Sequence, residues 1–258
     1  MPDALKLTGV VLHTVDYGES DRVVSLLTAE RGKVAAFARK ARVSRRRFGG
    51  ALEPFTLLQA EARERRGADL LSLESVSVVR GFGGIRADLA RIACAGYACD
   101  LARQLVRDAE PHPELMSLLV DYLGRLDARP AQPTTLRAYE LGALRAAGLM
   151  PRFSACARCG AALEAGAGGR LSFDPAEGGT LCGRCERTAP PAAPRLASGT
   201  AVALASLQLG GLSAAEAEPL SAEAGAEARQ VLSCFIEHHL GGRLASRKFL
   251  DEVGPLLG

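Results

Sequence analysis

The sequence contains no tryptophan, and aromatic residues make up only 5% of its 258 residues. Leu, Val and Ala must therefore fill any core, and a hydrophobic content of 48% is enough to bury one. No apolar run approaches the roughly 18 residues needed to span a bilayer. The start Met1-Pro2-Asp3 lacks a cationic stretch followed by an apolar segment, so we expect no signal peptide. These absences predict a soluble, cytoplasmic protein with no membrane partner.

The motifs of ordinary active sites are missing as well. The sequence has no G-x-x-x-x-G-K-[ST] loop to cradle a nucleoside triphosphate, and neither H-E-x-x-H nor G-x-S-x-G occurs. No cluster of carboxylates indicates the paired metals of a nuclease. We therefore predict that the protein is not an enzyme and has no catalytic residue. A nuclease remains the lesser alternative, and cleavage of DNA in Mg²⁺ or Mn²⁺ would reveal it.

Positive charge is concentrated near the start of the chain. The net charge is only +3, yet residues 1–80 carry 14 Lys/Arg against 10 Asp/Glu. Between Arg31 and Arg47 there is no carboxylate, and the stretch holds eight basic residues: Arg31, Lys33, Arg39, Lys40, Arg42, Arg45, Arg46 and Arg47. Such a block repels itself unless it is solvated or meets a polyanion. On charge alone, a solvated loop without a ligand stays open as the alternative.

The first 80 residues have the composition of short strands separated by turns. Five stretches rich in β-branched or alternating apolar residues predict strands at Leu7–Val15, Val23–Leu27, Lys33–Phe37, Phe55–Ala62 and Leu70–Val79. Five short strands in about 80 residues favour a small barrel of the OB-fold kind over a sandwich. The segment 40–50 has no clear period, so we predict a mobile basic loop there.

Beyond residue 80 the apolar residues recur at helical spacing. The apolar face from 85 to 105 predicts a first helix, and Pro113 fits the first turn of a second. A third helix is predicted to begin at a cap formed by Thr134 or Thr135 and to end at Gly148.

Four of the seven cysteines form two Cys-x-x-Cys pairs separated by 22 residues, namely Cys156, Cys159, Cys182 and Cys185. Each pair can present two thiolates to a tetrahedral ion, and Zn²⁺ prefers such a set. In a reducing compartment this spacing favours a metal site over disulfides. We predict one structural Zn²⁺, because four protein ligands leave no position for a catalytic water. Four free cysteines or a redox pair are the alternatives.

The other cysteines and the histidine pair are not expected to form a second site. Cys94, Cys99 and Cys234 lie in helical stretches and are interpreted as buried thiols. His238 and His239 have no cysteine or carboxylate partner at matching spacing, which indicates a helix surface.

A barrel with a basic loop is typical of OB-folds that bind nucleic acid through phosphates, without reading a base sequence. Stacking platforms are few: the candidates are Tyr17, Phe37, Phe48 and Phe55, of which at least two are expected in the core. A second cluster, Arg243, Arg247 and Lys248, could extend the basic track or neutralise helix-end carbonyls.

Several strings in order along the chain resemble the bacterial recombination mediators of the RecO family. They are Val15-Asp-Tyr-Gly-Glu-Ser-Asp21 with Arg22-Val-Val-Ser-Leu-Leu-Thr28, Gly32-Lys-Val, Arg39-Lys-Ala-Arg42, Arg47-Phe-Gly-Gly-Ala-Leu-Glu-Pro-Phe55, Gly81-Phe-Gly-Gly-Ile-Arg-Ala-Asp-Leu89, the four cysteines, and Ser246-Arg-Lys-Phe-Leu250. Each string is weak alone, but their ordered combination is specific and covers nearly the whole chain.

The resemblance implies binding of single- and double-stranded DNA and annealing of complementary strands. It also implies partnership with RecR and with the C-terminal tail of single-stranded DNA-binding protein (SSB), which helps load RecA onto coated DNA in the cytoplasm, in association with the nucleoid. DNA contacts are carried over only to the matching basic residues, Lys33, Arg39, Lys40, Arg42, Arg45, Arg46 and Arg47. The alternative is a zinc-ribbon OB-fold accessory protein of transcription or translation that binds RNA or polymerase.

The predicted fold class is α+β, with a five-stranded OB-fold barrel followed by a helical domain that contains the zinc module. We expect an OB-fold DNA-binding domain over 1–80 and the first part of the helical domain over 81–151. The zinc module then spans 152–188, and the C-terminal part of the helical domain spans 189–258. The stretch Ala189-Pro-Pro-Ala-Ala-Pro194 is typical of a stiff linker.

Overall fold

The computed structural model describes residues 4–44, 46–64, 70–163 and 169–254. Within these ranges the chain divides into two units, one of residues 4–131 with 245–254 and the other of residues 132–244. No helix in the described part of the chain is long and apolar enough to cross a membrane. The four domain segments expected from the sequence, 1–80, 81–151, 152–188 and 189–258, have other boundaries than these two units. They remain a prediction.

Five strands of the first unit close into a barrel in the order β1-β2-β3-β5-β4. They are β1 (Leu5–Tyr17), β2 (Asp21–Thr28), β3 (Gly32–Ala38), β4 (Leu57–Arg63) and β5 (Leu71–Arg80). All neighbours run antiparallel except β3 and β5, which pair in parallel. This five-stranded closed barrel, with helices after it, confirms the predicted fold class of an OB-fold barrel in an α+β chain.

The interior of the barrel follows from the alternation of side chains along each strand. In β3, Val34, Ala36 and Ala38 point inward and are buried, whereas the residues between them are half-buried. The core also takes in Phe48 and Leu52, which lie outside the strands. Phe48 therefore attaches the second half of this segment to the core, which its lack of period did not indicate; the predicted mobility of the loop stays a prediction.

The first unit is completed by a 3-10 helix, Gly83–Ala87, and by α1 (Leu89–Leu105), α2 (Pro113–Ala128) and α7 (Ala245–Val253). Asp88 caps α1, since its side chain accepts a hydrogen bond from the Arg91 backbone N–H at 2.8 Å. This cap starts α1 after Ile85, so the prediction that Ile85 belongs to the first long helix is wrong. Ile85 is instead buried in the 3-10 turn.

The second unit combines helices with a small sheet. Its elements are α3 (Pro133–Ala146), β6 (Arg170–Asp174), β7 (Gly179–Leu181), the single turn α4 (Gly183–Glu186), β8 (Arg195–Ala197), α5 (Ser198–Ala217) and α6 (Ala222–Leu240). The three strands are ordered β7-β6-β8. Gln132 is the residue that precedes α3, so Thr134 and Thr135 lie inside the helix, buried, and the predicted threonine cap is wrong. Pro133 sets this start because its fixed φ suits the first helical position.

The stretch 189–194 is attached to the small sheet. The Phe173 backbone N–H in β6 donates to the Pro194 carbonyl at 2.8 Å, and β8 begins at the next residue. A linker that was free of both neighbours would not make this bond. The predicted linker is therefore part of the second unit.

A buried carboxylate holds β8 against α6 in the second unit. Glu227 accepts hydrogen bonds from the Ala197 N–H at 2.9 Å and from the Thr200 hydroxyl at 2.5 Å, and it pairs with Arg170 at 2.7 Å. Burial acts to raise the pKa of Glu227, but these donors outweigh burial and the pKa lies below its ordinary value. The carboxylate therefore stays ionised inside the unit.

Candidate nucleic-acid interface and metal centre

The basic residues cluster on one loop of the barrel, the segment after β3, which we call the basic loop (residues 39–44 and 46–50). Its first half is bonded to the turn between β1 and β2. The Lys40 N–H donates to the Asp21 carboxylate at 2.7 Å, and the Arg42 N–H donates to the Ser20 carbonyl at 3.0 Å. The Arg42 guanidinium adds a bond to the Glu19 carbonyl at 3.1 Å. These bonds fix the position of the loop beside the turn.

The second half of the basic loop is held by Phe48 and Arg47. The Phe48 ring is buried in the barrel core, and the Arg47 guanidinium stacks over it at 5.0 Å from the ring centroid. Arg47 also donates to the Arg39 carbonyl at 2.7 Å, which closes the loop on itself. The Val76 N–H in β5 donates to the Arg47 carbonyl at 3.1 Å. The Arg47 guanidinium is therefore largely engaged in contacts that hold the loop together.

The seven predicted DNA contacts are placed unequally. Arg39, Lys40, Arg42 and Arg46 are exposed on the basic loop, whereas Arg45 lies outside the described residues. An open depression of about 450 Å³ lies along the same loop and is lined by Ala41, Arg42, Ser44, Gly49 and Gly50. The structure thus brings four exposed cations together on one short, anchored segment.

Lys33 lies apart from this group, on β3. Its side chain is only 19% exposed, and its ammonium donates to the Arg103 carbonyl at 2.8 Å and pairs with Asp108 at 3.2 Å. Arg103 lies in the last turn of α1, so Lys33 satisfies a carbonyl at the negative end of that helix. These contacts join the barrel to the helix within the first unit.

Two carboxylates close to the basic loop pair with Arg22, which sequence reasoning did not single out. Its guanidinium bridges Asp16 and Glu53, both at 2.8 Å. The hydrogen bond that Arg22 donates to Glu53 is the strongest of the causes that raise the pKa of Arg22. Asp16 also lies 3.7 Å from Arg42. The string that follows Val15 therefore has a structural meaning, since it supplies acids and carbonyls that hold the basic loop.

The four candidate stacking rings have separate positions. Phe48 is in the core, and Phe37 and Phe55 are half-buried. Tyr17, at the end of β1, is 62% exposed and packs edge-on to Phe37 with 5.7 Å between ring centroids. The sequence could not separate these rings, because the alternation of β1 fixes inward and outward positions only once the register is known.

The four cysteines of the two pairs converge in the second unit. The sulfur atoms of Cys156, Cys159, Cys182 and Cys185 all lie within 4.8 Å of one another, and the Cys159 and Cys182 sulfurs are 3.7 Å apart. A Zn²⁺ ion bound to four thiolates at about 2.3 Å sets sulfurs about 3.8 Å apart, so the geometry fits such an ion. The cluster could therefore hold one metal ion.

Each cysteine pair lies on a tight turn. In the first, the Gly160 N–H donates to the Cys156 carbonyl at 2.9 Å, and Gly160 has a φ of +73°, which favours glycine. In the second, Cys182 precedes the short helix α4 and its carbonyl accepts from the Glu186 N–H at 2.9 Å. Backbone hydrogen bonds therefore close both of the turns that carry the cysteines.

The environment of the cysteines favours thiolates at some positions. Burial acts to raise the pKa of Cys156, but backbone N–H groups that include that of Cys182 lower it to about 6. Burial raises the pKa of Cys185 to about 12. Four thiolates at this spacing would repel one another, and a divalent cation is the natural counter-charge.

Arg158 links the two turns and was also missed in the sequence. Its guanidinium pairs with Glu177 at 3.0 Å and lies 3.6 Å from Asp174. It also donates to the Thr188 hydroxyl and lies 3.5 Å from the Cys185 carbonyl. Its position between Cys156 and Cys159 was the only sequence signal for this role.

The structure also places the other three cysteines and the histidine pair. Cys94 and Cys99 are buried as predicted, but Cys234 is only half-buried. His238 and His239 are exposed near the end of α6, which confirms a helix surface.

The second basic cluster does not form a continuous exposed track. Arg247 is buried, pairs with Asp251 at 3.0 Å and lies over the Tyr97 ring at 5.7 Å, so it stabilises the packing of α7 on α1. Arg243 lies 3.9 Å from Glu237.

The fold and these two sites define a class of protein, an OB-fold protein with a basic surface, whose second unit carries a four-cysteine cluster that could hold a metal ion. Residues 1–82 match the family model for the N-terminal part of Recombination protein O, and residues 86–248 match the model for its C-terminal part. The chain belongs to the RecO family of DNA repair proteins. Its role therefore lies in DNA repair and recombination, as the sequence resemblance predicted.

Similar proteins cover the full length of the chain. It is 69% identical over 256 residues to the DNA repair protein RecO of Anaeromyxobacter dehalogenans strain 2CP-C, and the matched residues make up 99% of each chain. It is 50% identical over 250 residues to the DNA repair protein RecO of Myxococcus xanthus strain DK1622, covering 95% of this chain and 96% of the relative. Identity to the DNA repair protein RecO of Geobacter sulfurreducens is 40% over 255 residues, 97% of this chain and 99% of the relative.

Proposed function

We propose that the chain is a non-enzymatic recombination mediator that binds single- and double-stranded DNA and anneals complementary strands. With RecR it would help load RecA onto single strands coated by SSB, whose C-terminal tail it would contact. The observation that carries this proposal is the group of four exposed cations on the basic loop, Arg39, Lys40, Arg42 and Arg46. The proposed contact set also includes Arg45, Arg47 and Lys33, of which the last two would have to share or exchange their present partners.

Annealing requires two polyanions to approach each other, and their mutual repulsion is the main obstacle. Cations fixed on one loop can neutralise phosphates of both strands and leave the base edges free to pair. The anchoring of the loop by Phe48 and by the β1–β2 turn keeps these cations together without DNA, so less ordering is needed on binding. No bond is broken in this process, so no catalytic residue is required.

The basic loop is tested by reversing two exposed charges whose side chains make no bond to the residues that the structure describes. Arg39→Glu combined with Arg46→Glu should weaken binding of a labelled single strand strongly in a fluorescence anisotropy titration. Wild-type affinity should fall with salt, with a log–log slope of roughly −3 to −4 for about 4–6 phosphate contacts. Arg152→Glu with Arg187→Glu is the matched control, since it makes the same charge change at exposed sites in the second unit. Equal affinity of both double variants would refute the role of the loop.

The partners are tested by annealing complementary oligonucleotides coated with SSB. Annealing should occur with full-length SSB, should increase with RecR, and should be lost when the acidic tail of SSB is deleted. Competition between RNA and DNA strands of one sequence addresses the alternative accessory role, since a preference for RNA would contradict the proposal. Labelled DNA should also remain uncut in Mg²⁺ or Mn²⁺, because the protein is proposed to have no nuclease activity.

The four cysteines are proposed to hold one structural Zn²⁺. When bound, the ion would cross-link the two turns. It would take part in no reaction, because four protein thiolates complete its coordination. The positions of the four sulfurs support this assignment, and so do the contacts of Arg158 with Glu177 and with the Cys185 carbonyl, which link the two turns.

A further inference from the structure

Tyr17 presents an aromatic ring at the surface of the barrel. The sequence has four tyrosines, and the other three, Tyr97, Tyr122 and Tyr139, are at most 1% exposed. Tyr17 is 62% exposed, and Val15 on the same face of β1 is 51% exposed. Tyr17 and Val15 thus form a small exposed apolar surface on one face of β1.

Within the described residues, the ring of Tyr17 packs against one other aromatic ring. Phe37 on β3 meets it edge-on, with planes at 80° and centroids 5.7 Å apart. Strand β2 lies between β1 and β3. Its residue Val23 pairs in register with Val15 of β1 and with Phe37 of β3. This support limits the freedom of the Tyr17 ring and leaves most of its surface open to a ligand.

The surroundings of the ring select a polyanion. Asp21, the register partner of Tyr17, accepts from the Lys40 N–H, and Asp16 beside Tyr17 lies 3.7 Å from the Arg42 guanidinium. The basic loop thus begins next to the ring, and Val43 of this loop is 66% exposed. Arg22 pairs with Asp16 and Glu53, and Arg42 lies close to Asp16, so two guanidinium groups together balance the charge of these two carboxylates.

We infer that Tyr17 is a stacking platform for an unpaired nucleobase, and that the basic loop holds the phosphates of the same strand. Duplex DNA keeps its bases stacked inside, so only single strands can use the ring. An aromatic face accepts any base, which agrees with binding that ignores sequence. This inference rests on the proposed DNA binding of the basic loop and adds the part of the ligand that the ring recognises.

The test compares three probes of equal length by fluorescence anisotropy: an oligothymidylate, an abasic phosphodiester strand and a duplex. Tyr17→Ala should weaken binding of the oligothymidylate by about 5–10-fold, the lower end of the roughly 5- to 150-fold range for loss of one stacked base. Binding of the abasic strand and of the duplex should not change. Tyr17→Phe should keep wild-type affinity for all three, since the π-face is retained. Leu209→Ala, which removes an exposed apolar side chain in the second unit, is the matched control.

A spectroscopic measurement gives an independent readout, because the chain has no tryptophan. In Tyr17→Trp the single indole should be quenched by oligothymidylate and not by the abasic strand. Circular dichroism and the melting temperature of each variant verify that the barrel is folded.

The outcomes separate this inference from the proposed function. If Tyr17→Ala leaves oligothymidylate binding unchanged, or weakens abasic and normal strands equally, the stacking role is refuted while the basic loop stands. If Tyr17→Ala instead weakens binding of RecR alone, the patch belongs to a protein partner and the inference is also refuted. If Arg39→Glu with Arg46→Glu leaves binding of the abasic strand unchanged, the proposed function itself fails.

Discussion

Replacement of Phe48 by Ala should show how far DNA binding depends on the position of the basic loop, because this substitution leaves the charge of the loop unchanged. The Phe48 side chain is 2% exposed and packs in the barrel core, so its removal leaves a cavity among residues from several strands. Loss of a buried phenylalanine costs about 3–5 kcal/mol. The Arg47 guanidinium also loses the ring on which it stacks, worth about 0.5–1 kcal/mol at a partly exposed site. The two contributions together predict a loss of about 3.5–6 kcal/mol.

The assay is urea unfolding followed by far-ultraviolet circular dichroism, with oligonucleotide affinity measured beside it. Phe48→Ala should reduce the free energy of unfolding and weaken DNA binding although the net charge is unchanged. Val43→Ala, in the same loop but 66% exposed, should change stability by less than about 0.5 kcal/mol. A loss below about 1 kcal/mol for Phe48→Ala, or wild-type DNA affinity in a variant that has been destabilised as expected, would show that Phe48 does not anchor the loop.

Three further predictions concern other parts of the chain. Cys156→Ser with Cys159→Ser should remove bound zinc, measured by atomic emission, and lower the melting temperature; an equally stable metal-free wild type would contradict the structural role. Glu227→Gln should cost about 1–2 kcal/mol at neutral pH. Because the folded pKa of Glu227 is depressed, the wild-type advantage should be present above the unfolded pKa and vanish as pH falls through the folded one; a pH-independent difference in unfolding midpoints would refute this. Gly32→Ala should destabilise strongly, since an added Cβ would lie 1.7 Å from the Glu110 carbonyl oxygen and φ is +63°; an unchanged melting temperature would contradict it.

The barrel was predictable because its strands have local signals. Each of the five predicted stretches overlaps an observed strand, and β3 alternates inward and outward as its sequence requires. The cysteine cluster was predictable for a similar reason, since each pair carries its own tight-turn geometry. Only the meeting of the two pairs needed the tertiary fold, and their number and spacing already indicated it.

The features that were missed depend on contacts between distant segments. Nothing in the local pattern of 40–50 indicates that Phe48 enters the core, because a single aromatic residue in a polar segment has no period. Arg22 and Arg158 look like ordinary surface arginines until their partners, Glu53 and Glu177, are brought close by the fold. The cap of α3 was mispredicted because Pro133 competed with two adjacent threonines for the start of the helix.

The two sites have separate structural supports. The residues that hold the basic loop, from Asp16 to Asp21 and at Phe48, all belong to the first unit, whereas the four cysteines and Arg158 belong to the second. Loss of a metal held by these cysteines would remove bonds in the second unit, whereas the described bonds that hold the basic loop lie in the first. Oligonucleotide binding should therefore survive in the variant lacking Cys156 and Cys159 at a temperature where the protein stays folded. The cations of the basic loop, held by their own barrel, would then account for DNA binding without help from zinc.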